Sequence, residues 1–275
     1  MSAQALLLTS SGATWDISTM TYSGKSLSVN AQINNPNSIV FSTDGTKVYT
    51  VGGGSAVYQY TLSTPFDLST GSYSGKSLSL SGATGANGFT MSADGTKTYF
   101  MVQGSGTSII YQYTLSTPFD ISTGTYASKS LSVTAQDSQG YSLYMSADGT
   151  SLYFAGHINT IIYQYTLSTP FDISTGSYSA KSLNVAAQIG SGTLTGMSMS
   201  ADGTKVYAED TISSIIYQYN LSTSFDLSTG VYSGKNGRPL PTTNSTYGLV
   251  FSPDGFRAYI AGISNGTLYQ YAIQW

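Results

Sequence analysis

Chemistry near neutral pH needs groups that hold or move charge, and this chain offers few of them. His157 is the sole histidine and cysteine is absent, so thiolate chemistry and disulfides drop out at once. Thirteen acidic and ten basic residues remain. Ten of the acids fall into two repeated sets: Asp44, Asp94, Asp148, Asp202 and Asp254, and Asp16, Asp67, Asp120, Asp172 and Asp226. Nine of the cations follow the same repeats: Lys25, Lys76, Lys129, Lys181 and Lys235, then Lys47, Lys97, Lys205 and Arg257. Repetition leaves five ionisable residues unexplained: Asp137, His157, Glu209, Asp210 and Arg238. These are the first candidates for a site.

None of them assembles a familiar catalytic set. A Ser-His-Asp arrangement built on His157 would need one serine singled out, and the G-x-S-x-G elbow that would do so is missing. His157 therefore reads as a loop residue, with Asn159 beside it in the candidate set. Glu209 and Asp210 are adjacent, and neighbouring side chains point apart, whereas a glycosidase needs its two carboxyls across a cleft. They read as the solvated acidic tip of an exposed loop. The repeated aspartates suit turns, and neither a calcium loop nor a His/Cys cluster is present, so no metal or cofactor is expected. Tyr141 and Tyr247 lie off the repeat and are candidates for stacking on a ligand. Gln32, Gln136 and Gln188 each open a loop in an Ala-Gln step, where the amide could hydrogen-bond a glycan or cap the loop.

The elements that must position these residues are written in the repeat. The turn S-x-D-G-x-x-x-Y recurs around Asp44, Asp94, Asp148, Asp202 and Asp254, at spacings of 50, 54, 54 and 52 residues. A Tyr-Gln-Tyr triplet begins at Tyr58, Tyr111, Tyr163, Tyr217 and Tyr269. A (W/F)-D-(I/L)-S-T motif carries the second set of aspartates, each followed nine residues later by its lysine. Each period contains four strand-like runs. In the first full one these are Ser38 to Ser42, a Thr43–Thr46 turn in which Gly45 supplies positive φ, Lys47 to Val51, the alternating Ala56 to Leu62, and Tyr73 to Leu80. Four strands over roughly 50 residues is the period of a β-propeller blade.

The two ends complete the count. The last repeat stops after its third strand, Trp275 falling in register with Thr64, while the first begins at Thr14, in register with Pro65. The N-terminal strand, Tyr22 to Val29, is thus expected to finish the blade begun by the C-terminus. The fold class predicted is all-β: a single five-bladed propeller over 14–275, four antiparallel strands per blade, closed by the N-terminal strand. Residues 1–13 are left as an arm. Closure of this kind removes the open edge that would template aggregation.

Connections in such a ring alternate between two faces. One carries the Asp-Gly turns and the (W/F)-D-(I/L)-S-T loops, nearly identical in every copy. The other carries connections such as NAQINNPNS, TAQDSQGY and RPLPTTNSTYG, which differ in every copy. All the unexplained ionisable residues fall in these varied connections, and binding on a rigid scaffold concentrates in variable loops.

Composition bounds the setting. Only 8% of residues are charged, against roughly 25% in an average soluble domain. No apolar run approaches the roughly 18 residues of a spanning helix, so membrane insertion is not expected. A net charge of −3 gives no electrostatic reason to expect nucleic acid. The surface is solubilised by uncharged polar residues, and the N-terminus lacks the basic region of a secretory signal.

The S-x-D-G-x-x-x-Y turn resembles bacterial propeller repeats of the surface-layer YVTN and lactonase-like types. The longer pattern YQYTLSTPFDLSTGSYSGKSLS, with its Asp-Gly turn, resembles propeller repeats in structural and tail proteins of marine bacteriophages. This second resemblance implies a non-enzymatic virion component, a tail, fibre or capsid-decoration protein on the virion surface. Its partners would be other virion proteins or a host cell-surface glycan, and homo-oligomers are compatible with it. The alternatives are an extracellular carbohydrate-binding lectin and, last, a lactonase- or glycosidase-type enzyme. The candidate binding set on the varied face is Gln32, Gln136, Asp137, Tyr141, His157, Asn159, Gln188, Glu209, Asp210, Arg238 and Tyr247.

Overall fold

A computed structural model describes residues 15–274 apart from 53, 55, 81–84, 240–245, 263 and 264. The arm of residues 1–13, and the terminal matches at Thr14 and Trp275, lie outside the described residues. After the closing strand β1 (Thr21–Ser28), blade 1 contains β2 (Ser38–Phe41), β3 (Lys47–Val51), β4 (Ala56–Leu62) and β5 (Gly71–Ser79). Blade 2 follows with β6 (Ala86–Met91), β7 (Lys97–Gly104), β8 (Thr107–Leu115) and β9 (Gly124–Ser132). Blade 3 contains β10 (Gly140–Met145), β11 (Ser151–Gly156), β12 (Ile161–Leu167) and β13 (Gly176–Asn184). Blade 4 contains β14 (Leu194–Met199), β15 (Lys205–Asp210), β16 (Ile215–Leu221) and β17 (Gly230–Gly237). In blade 5, β18 (Thr246–Phe251), β19 (Arg257–Gly262) and β20 (Thr267–Ala272) are completed by β1, so the sheet order is β1-β20-β19-β18. The predicted five-bladed ring and its closure are what the structure shows. One short helix, Ala186–Ile189, interrupts a varied connection.

The repeated polar residues bind each blade to the next. Asp44 shows why its motif recurs: the carboxylate accepts from the Ser42 hydroxyl at 2.6 Å and the Thr46 amide at 3.0 Å. Gly45 has φ +69°, and a Cβ there would meet the Phe66 ring at 2.3 Å, so glycine is required twice over. The second set of aspartates caps a one-turn 3₁₀ helix, as where Asp67 accepts from Ser69 N–H. Each of these carboxylates also receives a lysine from the preceding blade at 2.5 to 2.6 Å: Lys25–Asp67, Lys76–Asp120, Lys129–Asp172, Lys181–Asp226 and Lys235–Asp16. Burial alone would raise the Asp67 pKa, but hydrogen bonds from Lys25 and Ser69 outweigh it and hold the group below its ordinary value. The lysine's partner is therefore in the neighbouring repeat, not the aspartate nine residues before it.

Two buried sets run the same way round. Tyr49, Tyr99, Tyr153, Tyr207 and Tyr259 donate their hydroxyls to the carbonyls of Phe119, Phe171, Phe225, Trp15 and Phe66. The central glutamine of each Tyr-Gln-Tyr triplet points inward and is almost fully buried. Gln59, Gln112, Gln164, Gln218 and Gln270 accept, at 3.0 to 3.1 Å, the backbone N–H of Ile121, Ile173, Leu227, Ile17 and Leu68. Replacing Gln164 by Leu would strand the Leu227 amide in the core, a cost of about 1–3 kcal/mol. Urea melts should show that loss, and an unchanged midpoint would remove the amide from the account of blade locking.

The tyrosines flanking each glutamine make their ring contacts largely within their own blade. Tyr73 of β5 lies across both Tyr58 and Tyr60, with ring centroids 6.3 and 5.6 Å away. The same arrangement recurs at Tyr178 and Tyr232.

Candidate functional site

At the varied face, at or next to the start of each inner strand and five residues before the serine of its Asp-Gly turn, stand Asn37, Asn87, Tyr141, Thr195 and Tyr247. In blades 2 to 5 the pairing register slips at this point, after Ala86, Gly140, Leu194 and Tyr247. Such bulges re-aim a side chain. Here Asn37, Asn87, Tyr141 and Tyr247 meet across blades near the axis, at the channel mouth on the varied face. Asn37 Nδ2 donates to Asn87 Oδ1 at 2.9 Å. Tyr141 and Tyr247, from blades 3 and 5, meet with ring centroids 5.9 Å apart, while Thr195 is buried with its hydroxyl paired to that of Thr211. Rings from non-neighbouring blades can touch only close to the axis, so this pair covers that side of the mouth. His157 stacks on the other side of Tyr141 at 4.9 Å, and its Nδ1 is buried without a hydrogen-bond partner.

Glu209 is the larger surprise. It was read as a solvated tip, but β15 runs through Asp210, and Glu209 and Asp210 are 0% and 2% exposed. A second strand in a propeller is covered by its neighbours to its very end, which is why the exposed-loop reading fails. The Glu209 side chain folds over Gly196 of β14, where an added Cβ would lie 2.1 Å from Oε2. It thus occupies space an inner-strand side chain would fill. Neither carboxyl oxygen makes a well-formed hydrogen bond, and the Thr246 hydroxyl lies close enough to act on the carboxyl without a well-formed bond to it. Burial pushes the Glu209 pKa to about 7, Thr246 offsetting part of the shift and Asp210 adding to it. Tyr247 lies within electrostatic range of Glu209, and burial, Tyr141 and Glu209 all raise its own pKa.

The other acids are satisfied. Asp210 receives N–H groups from Thr193, Ile212 and Ser213 and the Ser213 hydroxyl, tying two loops together. Asp137, 2% exposed, does the same for Gln139 and Asn159. Asn159 continues the tie through its amide to the Gln136 carbonyl at 2.7 Å. The Ala-Gln glutamines cap: Gln32, Gln136 and Gln188 accept the hydroxyls of Tyr60, Tyr165 and Tyr219. Arg238 is exposed and donates to the Ser213 carbonyl at 2.8 Å. Ile158 and Ile212, at matching loop tips of blades 3 and 4, are 54% and 69% exposed.

On this face, between blades 5 and 1, opens a cleft of about 640 Å³ whose lining includes Asn30, Gln32, Ile33, Asn34, Asn35 and Tyr58. Among the described residues, no three His, Asp or Glu side chains are placed to hold a metal ion. The structure therefore joins Tyr141, His157, Glu209 and Tyr247, and leaves Arg238, Gln32, Gln136 and Gln188 at separate points of the rim. Asn37, Asn87, Thr195 and Thr246 escaped sequence reasoning. Their signal was their fixed distance from the Asp-Gly turn.

No protein-family model matches the chain, and no curated protein does. Among solved structures it is similar to a functionally unknown protein from Desulfotomaculum acetoxidans DSM 771, with a TM-score of 0.51 at 10% identity. That match covers 82% of this chain but 62% of the other, so the chain spans less than two thirds of that protein's length. The periplasmic gluconolactonase PpgL of Pseudomonas aeruginosa is similar over 87% of this chain and 68% of its own, with a TM-score of 0.52 at 14% identity. The β-propeller domain of Myceliophteria thermophila Cps50 (Swd1) matches at a TM-score of 0.49 and 11% identity, over 87% of this chain and 84% of that one. Likeness at these identities is one of fold alone, and the five four-stranded sheets show that fold to be a five-bladed β-propeller.

Proposed function

We propose that this propeller is a non-enzymatic adhesion and structural component of a virion, reading host-surface glycan with its varied face. One contrast carries the reading. On the uniform face the lysine–aspartate pairs are spent on holding blade to blade and the turn aspartates on holding their own turns, whereas the varied face presents a polar cleft and unrepeated exposed side chains. A cleft lined by four carboxamide side chains, one tyrosine ring and the apolar Ile33 and Ala56 offers donors and acceptors beside apolar surface, the chemistry that recognises sugars. The virion setting rests on the likeness of the repeats to phage tail and structural proteins, and on the scarcity of charge. Non-enzymatic action is supported by Asp137 and Asp210, whose oxygens are occupied by loop N–H groups and so give Glu209 no free carboxylate partner.

A protein partner is the second reading, favoured by Ile158 and Ile212, which expose apolar surface at matching loop tips of adjacent blades, with Arg238 hydrogen-bonded to Ser213 beside Ile212. An array of bacterial surface polysaccharides separates the two. Wild-type protein is expected to bind a restricted set, Asn34→Ala/Asn35→Ala to lose about tenfold or more, and Ile158→Ser/Ile212→Ser to bind normally. A blank array for the wild type would overturn the glycan reading and pass the face to a protein partner.

A further inference from the structure

The five blades supply their own control for Glu209. Two residues after the core tyrosine of the second strand, the other blades carry Val51, Met101, Ala155 and Ala261, all fully buried. The fold needs an apolar side chain at this position. A buried carboxyl with no partner costs several kcal/mol, and a protein keeps such a group where it meets something the folded chain alone does not supply. Glu209 also has room made for it. Gly196 leaves the space its carboxyl fills, the unpartnered Thr246 hydroxyl is at its side, and the half-buried rings of Tyr247 and Tyr141 form the outer layer toward the channel mouth.

We propose that the channel mouth is a binding site for a primary ammonium group on a small ligand, with Glu209 as counter-ion and Tyr141 and Tyr247 as aromatic walls. The chemistry follows from what is left unsatisfied. A primary ammonium brings three N–H donors and one positive charge. Two donors suit the empty Glu209 oxygens and a third suits the Thr246 hydroxyl. The ring faces add cation–π attraction, which strengthens when the site excludes water. A neutral sugar hydroxyl would satisfy one oxygen and leave the buried charge uncompensated. The ligand reaches the carboxyl by parting the two tyrosine rings. This site is separate from the cleft between blades 5 and 1 and does not depend on the glycan reading of that cleft.

Isothermal titration at pH 8 with three probes tests it: glucosamine, N-acetylglucosamine, and Nα-acetyl-lysine amide. Glucosamine and the lysine derivative distinguish an amino sugar from an amino-acid side chain as the source, and N-acetylglucosamine removes the charge from the same sugar. At least one of the two amines is expected to bind, about tenfold or more tighter than N-acetylglucosamine. Glu209→Gln, which keeps shape without charge, should lose that binding. Should the glutamine variant fail to fold, Glu209→Ala, the residue blades 3 and 5 carry, serves in its place. Ile158→Ser/Ile212→Ser and Asn34→Ala/Asn35→Ala should leave amine binding intact, so failure here and failure of the rim reading are told apart. The proposal is overturned if neither amine binds at millimolar concentration, if N-acetylglucosamine binds equally well, or if the Glu209 variants bind like the wild type.

Discussion

A chain lacking residues 1–28 should not form a stable monomer. The deletion removes β1, which pairs with β20 from Thr21↔Ala272 to Ser28↔Thr267. It also removes the three clamps by which this segment grips blade 4: the Trp15 carbonyl, the Ile17 amide and Asp16, met by Tyr207, Gln218 and Lys235. Trp15, Ile17 and Leu27 are each buried to 8% exposure or less. Their loss forfeits roughly 1.5–3 kcal/mol each in burial alone. Together with the clamps this approaches the roughly 5–15 kcal/mol that a whole domain commands. The bared edge of β20 would then be free to pair with other chains. The expected result is aggregation, or a broad thermal transition in place of a cooperative one, and a peptide spanning 14–30 added in trans should restore the sharp melt. A truncated chain that stays monomeric and melts within a few degrees of the full one would show that the ring does not depend on this closure.

That closure was legible in the sequence because the repeat is local and present five times. Each Asp-Gly turn and each capping aspartate is stabilised within its own few residues, so a motif and its structural cause coincide. What could not be read is what acts between repeats. Lys76 stands nine residues after Asp67, yet its partner is Asp120. Gln112 lies between two tyrosines on a strand, yet its work is at Ile173, 61 residues on. Glu209 failed for a different reason. Charge was taken as a sign of the surface, although alignment with Val51, Met101, Ala155 and Ala261 already marked position 209 as core. The mouth cluster was hidden because bulges, invisible in strand periodicity, decide that Tyr141 and Tyr247 face the axis.

The buried carboxyl gives the protein an expected stability profile tilted toward acid. With its folded pKa raised from 4.5 to about 7, Glu209 binds a proton more tightly in the folded chain than in the unfolded one. Its contribution is therefore complete below about pH 4.5, and it is lost as pH rises through 7. The shift corresponds to stability on the order of 3 kcal/mol, from about 1.36 kcal/mol per pKa unit. The capping aspartates work in the opposite sense: held below 3.8, they favour folding at higher pH and withdraw support only as pH falls below that value. The two trends place the maximum near pH 4, between the ordinary values of the two groups, 3.8 and 4.5. Glu209→Gln removes the alkaline limb without changing the side chain's shape. At pH 8 the variant should melt several degrees above the wild type, since about 1 kcal/mol moves the midpoint of a large domain by roughly 2–4 °C. At pH 4.5 the two should nearly coincide. Melts across this range decide the matter: parallel curves for the two proteins would mean that the Glu209 carboxyl finds water or a partner in solution and does not stay buried and bare. Convergence at acid and divergence at alkaline pH would locate the penalty in one side chain, the one the proposed ammonium ligand would neutralise. A bound amine should then raise the midpoint of the wild type at pH 8 and leave that of Glu209→Gln where it stands.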